Sequence, residues 1–426
     1  MSTAAVGASD GGRRQRLPLV ALLTGQGVSL LGNTLTGLAV PWFVLETTGS
    51  ASRTGVVAFA GMLPTVIGGV LGGTVVDRLG HRRTSVLADL ASGATVATIP
   101  LLHATVGLAF WQLLALVFLG ALLDTPGSTA RVAILPDLAD RAGISLERAN
   151  AAGQTIGSVS TLLGPPMAGG LIALLGSSNV LWLDAGSFAV SAALVALAMP
   201  IGRSDRARAE RDPDQGLVAE VTEGLRLVWA DRLLRAILVP AMVINFLFAP
   251  LFGVVMPVFA ERAYGEAFDL GLMLAGFGAG SLVGSVVYGA VGTEWSRRKT
   301  LGGAFLLVGL PFWGLALAPA LPVAVGLLAV AGLLLAPINP LVISVIQRRT
   351  PEALLGRVIG AVIASTSVLA PLGMLTAGVT LEAFGVGATL VAVAAGLMVV
   401  GVRLMLNQVF AELDQAEEAS PGERVA

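Results

Sequence analysis

The feature that most constrains this chain is the recurrence of apolar runs, each about twenty residues long, along nearly all of its 426 residues. A helix of that length is about 30 Å long, the thickness of a bilayer's hydrocarbon core. The runs lie at 17–45, 54–76, 84–106, 108–130, 149–175 and 179–200, then at 236–260, 268–292, 300–318, 321–346, 358–384 and 386–408. A soluble core can hide a few such segments, but not this series. Only 12% of the residues are charged, roughly half the share usual in soluble domains, so most of the surface faces lipid. The 54 glycines fit the same reading, because small residues let membrane helices approach closely. The expected fold is an all-α polytopic membrane protein with twelve transmembrane helices.

The order of the runs divides the chain into two six-helix bundles, 1–200 and 233–410. A cytoplasmic linker at 201–232 is too polar to enter hydrocarbon, with Arg203, Asp205, Arg206, Arg208, Glu210 and Arg211 among its residues, and 411–426 is a polar tail. Arg13, Arg14 and Arg16 precede the first run, which is too long for a signal peptide and lacks a small-residue cleavage site, so it reads as the first span. With both termini cytoplasmic, the loops alternate so that 24 of the 26 Lys and Arg residues lie inside, and only Arg53 and Arg262 lie outside. One misplaced span would destroy that split. The halves also read as tandem repeats, as in one class of transporters. Each has a basic cluster after its second span, at Arg78 to Arg83 and at Arg297 to Lys299, and the interval from Arg148 to Gly176 equals that from Arg357 to Gly385.

Several function classes fall away. With no cysteine there is no disulfide or thiolate chemistry, and two histidines, His81 and His103, make a metal cluster improbable. No Gly-Lys-Ser/Thr phosphate loop marks a primary pump, and no repeated filter residues mark a channel. Neither a cofactor nor a nucleic-acid partner is expected, and the chain is not read as an enzyme.

Two motifs carry a family resemblance. Gly73-Thr-Val-Val-Asp77-Arg78-Leu-Gly80-His81-Arg82-Arg83 joins the second and third spans. It resembles the G-x-x-x-D-R-x-G-R-R signature loop of the major facilitator superfamily, with His81 where Arg is usual. Gly164-Pro165-Pro166-Met167-Ala168-Gly169 on the fifth span resembles the G-P-x-x-G-G stretch of the antiporter branch, with Ala168 in place of one Gly. Along the chain, Gly25-Gln-Gly-Val-Ser-Leu-Leu, Ala88-Asp89-Leu, Leu183-Asp184-Ala185, Glu223-Gly-Leu-Arg-Leu-Val-Trp229 and Gly356-Arg357-Val358 are similar to the drug:proton antiporter-3 family, which includes Tap-type multidrug efflux pumps and macrolide exporters. The resemblance implies the two-bundle fold, and a cytoplasmic gating network of Asp77, Arg78, Asp89 and Arg131 that breaks and reforms, with Arg357 facing the loop. Many Tap-like members carry Asp where this chain has Asn33.

Polar residues deep in the spans are functional candidates, because charge in hydrocarbon is costly. Asn33, Asp124, Asn245 and Asn339 lie roughly 13 to 27 Å into spans one, four, seven and ten. These are the cavity-lining helices of the superfamily, and Asp124 is the only charge among the four. Asp124 could hold a proton, a cationic drug group, or both in competition, or could be a structural carboxyl paired with an Arg. Asp184, about 8 Å from the outer end of its helix, is a second site for proton coupling or an interfacial structural group.

The expected function is export of an amphiphilic or hydrophobic small molecule, driven by the proton gradient through alternating access. The setting is the cytoplasmic membrane of a bacterium, with the protein a monomer in the lipid bilayer. The alternatives are a facilitator or uptake carrier for a polar metabolite, and a non-transporting scaffold or sensor. Flux measured in each direction separates them.

Overall fold

The computed structural model describes residues 5–199, 225–292, 295–350, 352–407 and 409. The linker charges from Arg203 to Arg211, the tail at 411–426 and the side chains of Asp77 and Arg357 lie outside the described residues. Among the described residues there is no strand. The first six helices are α1 (Ala5–Thr48), α2 (Ala51–Leu79), α3 (His81–Thr105), α4 (Phe110–Ala142), α5 (Leu146–Leu175) and α6 (Ser177–Ala198). The seventh, α7, runs over Arg232–Ala263. It is followed by α8 (Ala267–Val291), α9 (Arg297–Ala316) and α10 (Leu321–Gln347). A continuous helical stretch, Glu352–Leu406, is parted at Gly385 by φ 81° and ψ 172°, giving α11 (352–384) and α12 (386–406).

Ten of the described stretches are long and apolar enough to cross a membrane. Dividing the last of them at Gly385 and adding the 29-residue α2 gives the expected twelve. Their outer faces carry exposed aliphatic side chains such as Leu87, Val132, Leu197, Val286 and Val379, the surface that lipid requires.

Helix ends follow from local chemistry. Ser145 caps α5 by accepting from the Arg148 N–H at 3.4 Å, and Asp231 caps α7 by accepting from Leu233 and Leu234 at 2.8 and 2.9 Å. Gly143, in the left-handed region, ends α4 by donating to the carbonyls of Ala139 and Asp140. One departure from regular geometry is not signalled by residue type alone: a π-turn at Leu251–Val255 interrupts α7 directly after Pro250.

The chain forms two compact units. One is Met1–Phe43 with Ala60–Pro213, and the other is Val44–Phe59 with Asp214–Ala426. The end of α1 and the start of α2 therefore belong with the second unit. There Glu382 of α11 accepts from Ser52 N at 3.2 Å and Ser50 Oγ at 3.4 Å, and Gly55 packs directly on the Gly378 backbone. Residues 225–230 are helical, and Val228 is fully buried against Leu234, Leu238, Ile346 and Val358.

Matched geometry in the two halves of the sequence carries the tandem repeat. Positive φ occurs at Gly49 and Gly265, at Gly107 and Ala318, and at Gly176 and Gly385, the first, third and fifth helix connections of each half. Only glycine adopts the Gly176 and Gly385 conformations without strain, which explains why the two fall at the same interval from their upstream arginines. A second pairing involves arginine. Arg82, the second residue of α3, donates to the Ala196 carbonyl near the end of α6, and Arg298, the second residue of α9, donates to the Met405 carbonyl near the end of α12. Each guanidinium satisfies an orphan carbonyl where the helix dipole is negative. Arg82→Ala is expected to lower stability by about 2 kcal/mol, and Arg298→Ala by a similar amount, read as loss of the folded fraction in detergent thermal unfolding. Equal effects would reflect the equivalence of the two clamps. A neutral Arg82→Ala would show that water serves that carbonyl equally well.

Candidate functional site

The first unit holds buried charge at two places, and the larger is built on Asp89. Asp89 of α3 is fully buried, and its Oδ1 accepts from Arg131 Nη1 of α4 at 2.7 Å. Its Oδ2 accepts from Ser191 Oγ of α6, also at 2.7 Å. Asp124 lies two turns before Arg131 on α4, and Arg131 Nη2 approaches its Oδ1 at 3.5 Å. Asn33 Nδ2 of α1 donates to the other oxygen, Asp124 Oδ2, at 3.3 Å. Four helices thus meet around two carboxylates that share one guanidinium. The packing that allows this is glycine-mediated: a Cβ on Gly127 would come within 2.9 Å of the Ala88 methyl and 3.7 Å of Arg131 Nη1.

Asp184 of α6 is also fully buried and has its own partners. Thr36 of α1 donates to its Oδ2, and Ser187 donates to its Oδ1 at 3.1 Å. Gly32 makes room, since a Cβ there would overlap Ser187 Oγ and Asp184 Oδ1. Gly164 of the antiporter-like stretch sits against the Thr34 side chain, which brings α5 up to α1 beside Asn33. Pro165 and Gly169 are buried on α5, which continues as one helix through Pro165 and Pro166.

The signature loop is described in part. Gly73 lies within α2, Gly80 separates α2 from α3 with φ 81°, and Arg78 and Arg83 are exposed. Of the expected gating network, Asp89 and Arg131 are joined, while the Asp77 and Arg357 side chains lie outside the described residues.

In the second unit, Asn245 and Asn339 line one cavity of about 410 Å³ together with Pro240, Phe305, Val362 and Thr366. Asn245 Nδ2 is turned to its own helix, donating to the Ala241 carbonyl at 3.1 Å. Phe248 packs on Phe252 and Phe277 with ring centroids 5.1 and 6.1 Å away. The interior stretches 236–260, 270–291, 300–346, 358–381 and 383–402 contain no Asp, Glu, Lys or Arg. The interiors of the two units therefore differ in kind, the first holding Asp and Arg and the second, along these stretches, neither.

Asp124 remains the only charge among the four deep polar residues, and Arg131 reaches up the helix to it. The spacing of seven residues between them is two helical turns, so the pairing was open to a reading of one face of α4. Ser191, Ser187 and Thr36 were not among the site candidates read from sequence. Their signal is the spacing of Asp184, Ser187 and Ser191 at i, i+3 and i+7 on α6, a polar stripe inside an apolar helix.

Comparison with known proteins agrees with this architecture. The Major Facilitator Superfamily is matched at residues 22–267 and 238–425. The multidrug efflux pump Tap of Mycolicibacterium fortuitum is 34% identical over 413 residues, covering 95% of this chain and 99% of the pump. Macrolide efflux protein A of Streptococcus pyogenes is 22% identical over 382 residues, covering 87% of this chain and 91% of that protein. Among solved structures, the nucleoside transporter NupG superposes with a TM-score of 0.74 at 12% identity, covering 91% of this chain and 98% of that one.

Proposed function

The chain belongs to the major facilitator superfamily, and from that premise we propose that it exports amphiphilic or hydrophobic small molecules in exchange for protons, by alternating access across a bacterial cytoplasmic membrane. It works as a monomer with both termini in the cytoplasm, the orientation that the distribution of Lys and Arg favours. Similarity to Tap pumps over nearly the full length of both chains supports drug efflux.

The observation that carries the coupling is the sharing of Arg131 by Asp89 and Asp124. Two carboxylates and one guanidinium leave one negative charge without compensation in a low-dielectric interior, where an unpaired charge is costly. One proton on either acid removes that excess. A cationic group of a substrate offers the same compensation, so proton and substrate compete for one charge deficit. Competition of this kind makes loading of one release the other, which is the requirement for exchange. The uncharged cavity of the second unit is suited to hydrocarbon, with Pro240, Phe305 and Val362 in its lining.

The test is transport of ethidium and of a macrolide in proteoliposomes under an imposed pH gradient. Asp124→Asn is expected to lower gradient-driven flux of both probes by about two orders of magnitude. Full gradient-driven flux in Asp124→Asn would remove this acid from the coupling step.

A further inference from the structure

The two acidic clusters of the first unit lie along one helix interface, and a single buried hydroxyl occupies the gap between them. On α1, Gly25 faces Ser191, Gly32 faces Ser187 and Asp184, and Thr36 bonds Asp184. Residues 25, 29, 32 and 36 fall within about 60° of one another around a helix, so Ser29 points to the same α6 face. In height it lies between Gly25 and Gly32, level with the step from Ser191 to Ser187. Ser191 is bonded to Asp89, and Ser187 to Asp184. Ser29 is 1% exposed, and its hydroxyl has no hydrogen-bond partner among the described residues.

A buried hydroxyl without a partner is unusual enough to need a reason. Here the groups on both sides are polar, Ser191 over Gly25 and Ser187 with Asp184 over Gly32, and partners of this kind hold water inside proteins.

We propose that the α1–α6 interface is a proton path in which Ser29 and a water bound to it connect Asp184 to the Asp89–Arg131–Asp124 cluster. The inference rests on the proton-coupled reading above and deepens it, placing the acids in series. A proton leaving the Asp184 carboxylic acid passes to the Ser187 hydroxyl, which gives up its own proton to the water at Ser29. The water passes a proton to Ser191, and Ser191 releases one to the Asp89 carboxylate. Each hydroxyl accepts one proton as it donates another, so the relay leaves no net charge on serine or water. Asp184 ends as carboxylate, and the cluster ends with the single proton that it lacks. The groups facing the path are Thr36 and Asn33 from α1, Asp89 from α3, Asp124 and Arg131 from α4, and Ser187 and Ser191 from α6. Arg131 keeps the cluster from drawing a second proton.

The full-length protein in proteoliposomes provides the test, with ethidium as the probe and a lumenal pH dye reporting protons. In Ser29→Ala, pH-gradient-driven flux is expected to fall about tenfold or more, with ethidium counterflow retained. Ser29→Thr, which keeps the hydroxyl, is expected to restore gradient-driven flux. Wild-type coupling in Ser29→Ala overturns the path and leaves proton exchange itself standing. Loss of counterflow in both Ser29→Ala and Ser29→Thr also overturns it, since that pattern marks a packing position. Absence of any ethidium-dependent proton movement in the unsubstituted protein overturns both readings.

Discussion

Arg131→Met is expected to yield a protein that loses about 3 to 5 kcal/mol of stability and all gradient-driven transport. The physical reason is the state in which the substitution leaves its partners. Asp89 is fully buried, with one oxygen on Arg131 at 2.7 Å and the other on Ser191. Removing the guanidinium strands that carboxylate, and Asp124 beside it, in an interior with no other cation near them among the described residues. The double variant Arg131→Met, Asp89→Asn removes the fully buried one of the two stranded charges and is expected to recover most of the thermal stability. It does not recover coupling, because the shared cation is gone. Thermal unfolding in detergent and proteoliposome flux separate the two effects. Equal stability of the single and double variants would show that the Asp89–Arg131 pair is solvated in the membrane-embedded protein.

The second large effect is expected at Gly280. A Cβ there would lie 1.8 Å from the Ala329 carbonyl oxygen and 2.8 Å from its Cα, so the obstruction is backbone and no rotamer relieves it. The contact is one rung of a ladder between α8 and α10. Gly276 meets the Val325 carbonyl, Gly284 the Leu333 carbonyl and, from the other side, Gly332 the Phe277 carbonyl. Membrane helices gain association energy from such close approach, having no hydrophobic drive toward one another in lipid. Gly280→Val is expected to cost about 3 kcal/mol or more and to leave little folded protein after detergent extraction. Gly289→Ala, on the same helix but facing open space, is the control and is expected to behave as the unsubstituted chain. Normal recovery of Gly280→Val would mean that α8 and α10 are free to separate.

What the sequence discloses and what it hides divide along physical lines. Span count and repeat were legible because lipid imposes length and apolarity on each helix, and because Gly176 and Gly385 mark equivalent turns that side chains resist. The acids were legible as Asp89, Asp124 and Asp184, since any charge in such a segment stands out. Their partners were not. Whether Arg131 serves Asp89, Asp124 or both depends on how α3 and α4 are rotated against each other, which Gly127 and Ala88 decide by contact rather than by composition. The hydroxyls of Ser29, Ser187 and Ser191 pass unnoticed in helices rich in small residues, and only neighbours across the interface give them meaning. Asn33 is the opposite case: a departure from the Tap-like pattern visible at once, whose hydrogen bond to Asp124 appears only in three dimensions.

The absence of ionisable side chains from the interior of the second unit bears on how such a protein adapts. Around Phe305, Val342, Ile359 and Val362, an exchange of one hydrocarbon side chain for another alters fit by about 1 kcal/mol and leaves no charge without a partner. In the first unit the smallest change at Asp89 or Arg131 disturbs a shared ion pair. Selection by an unfamiliar antibiotic thus meets one half of the molecule that tolerates experiment and another that does not. Specificity can drift in a lineage while the half with the shared ion pair stays as it was inherited.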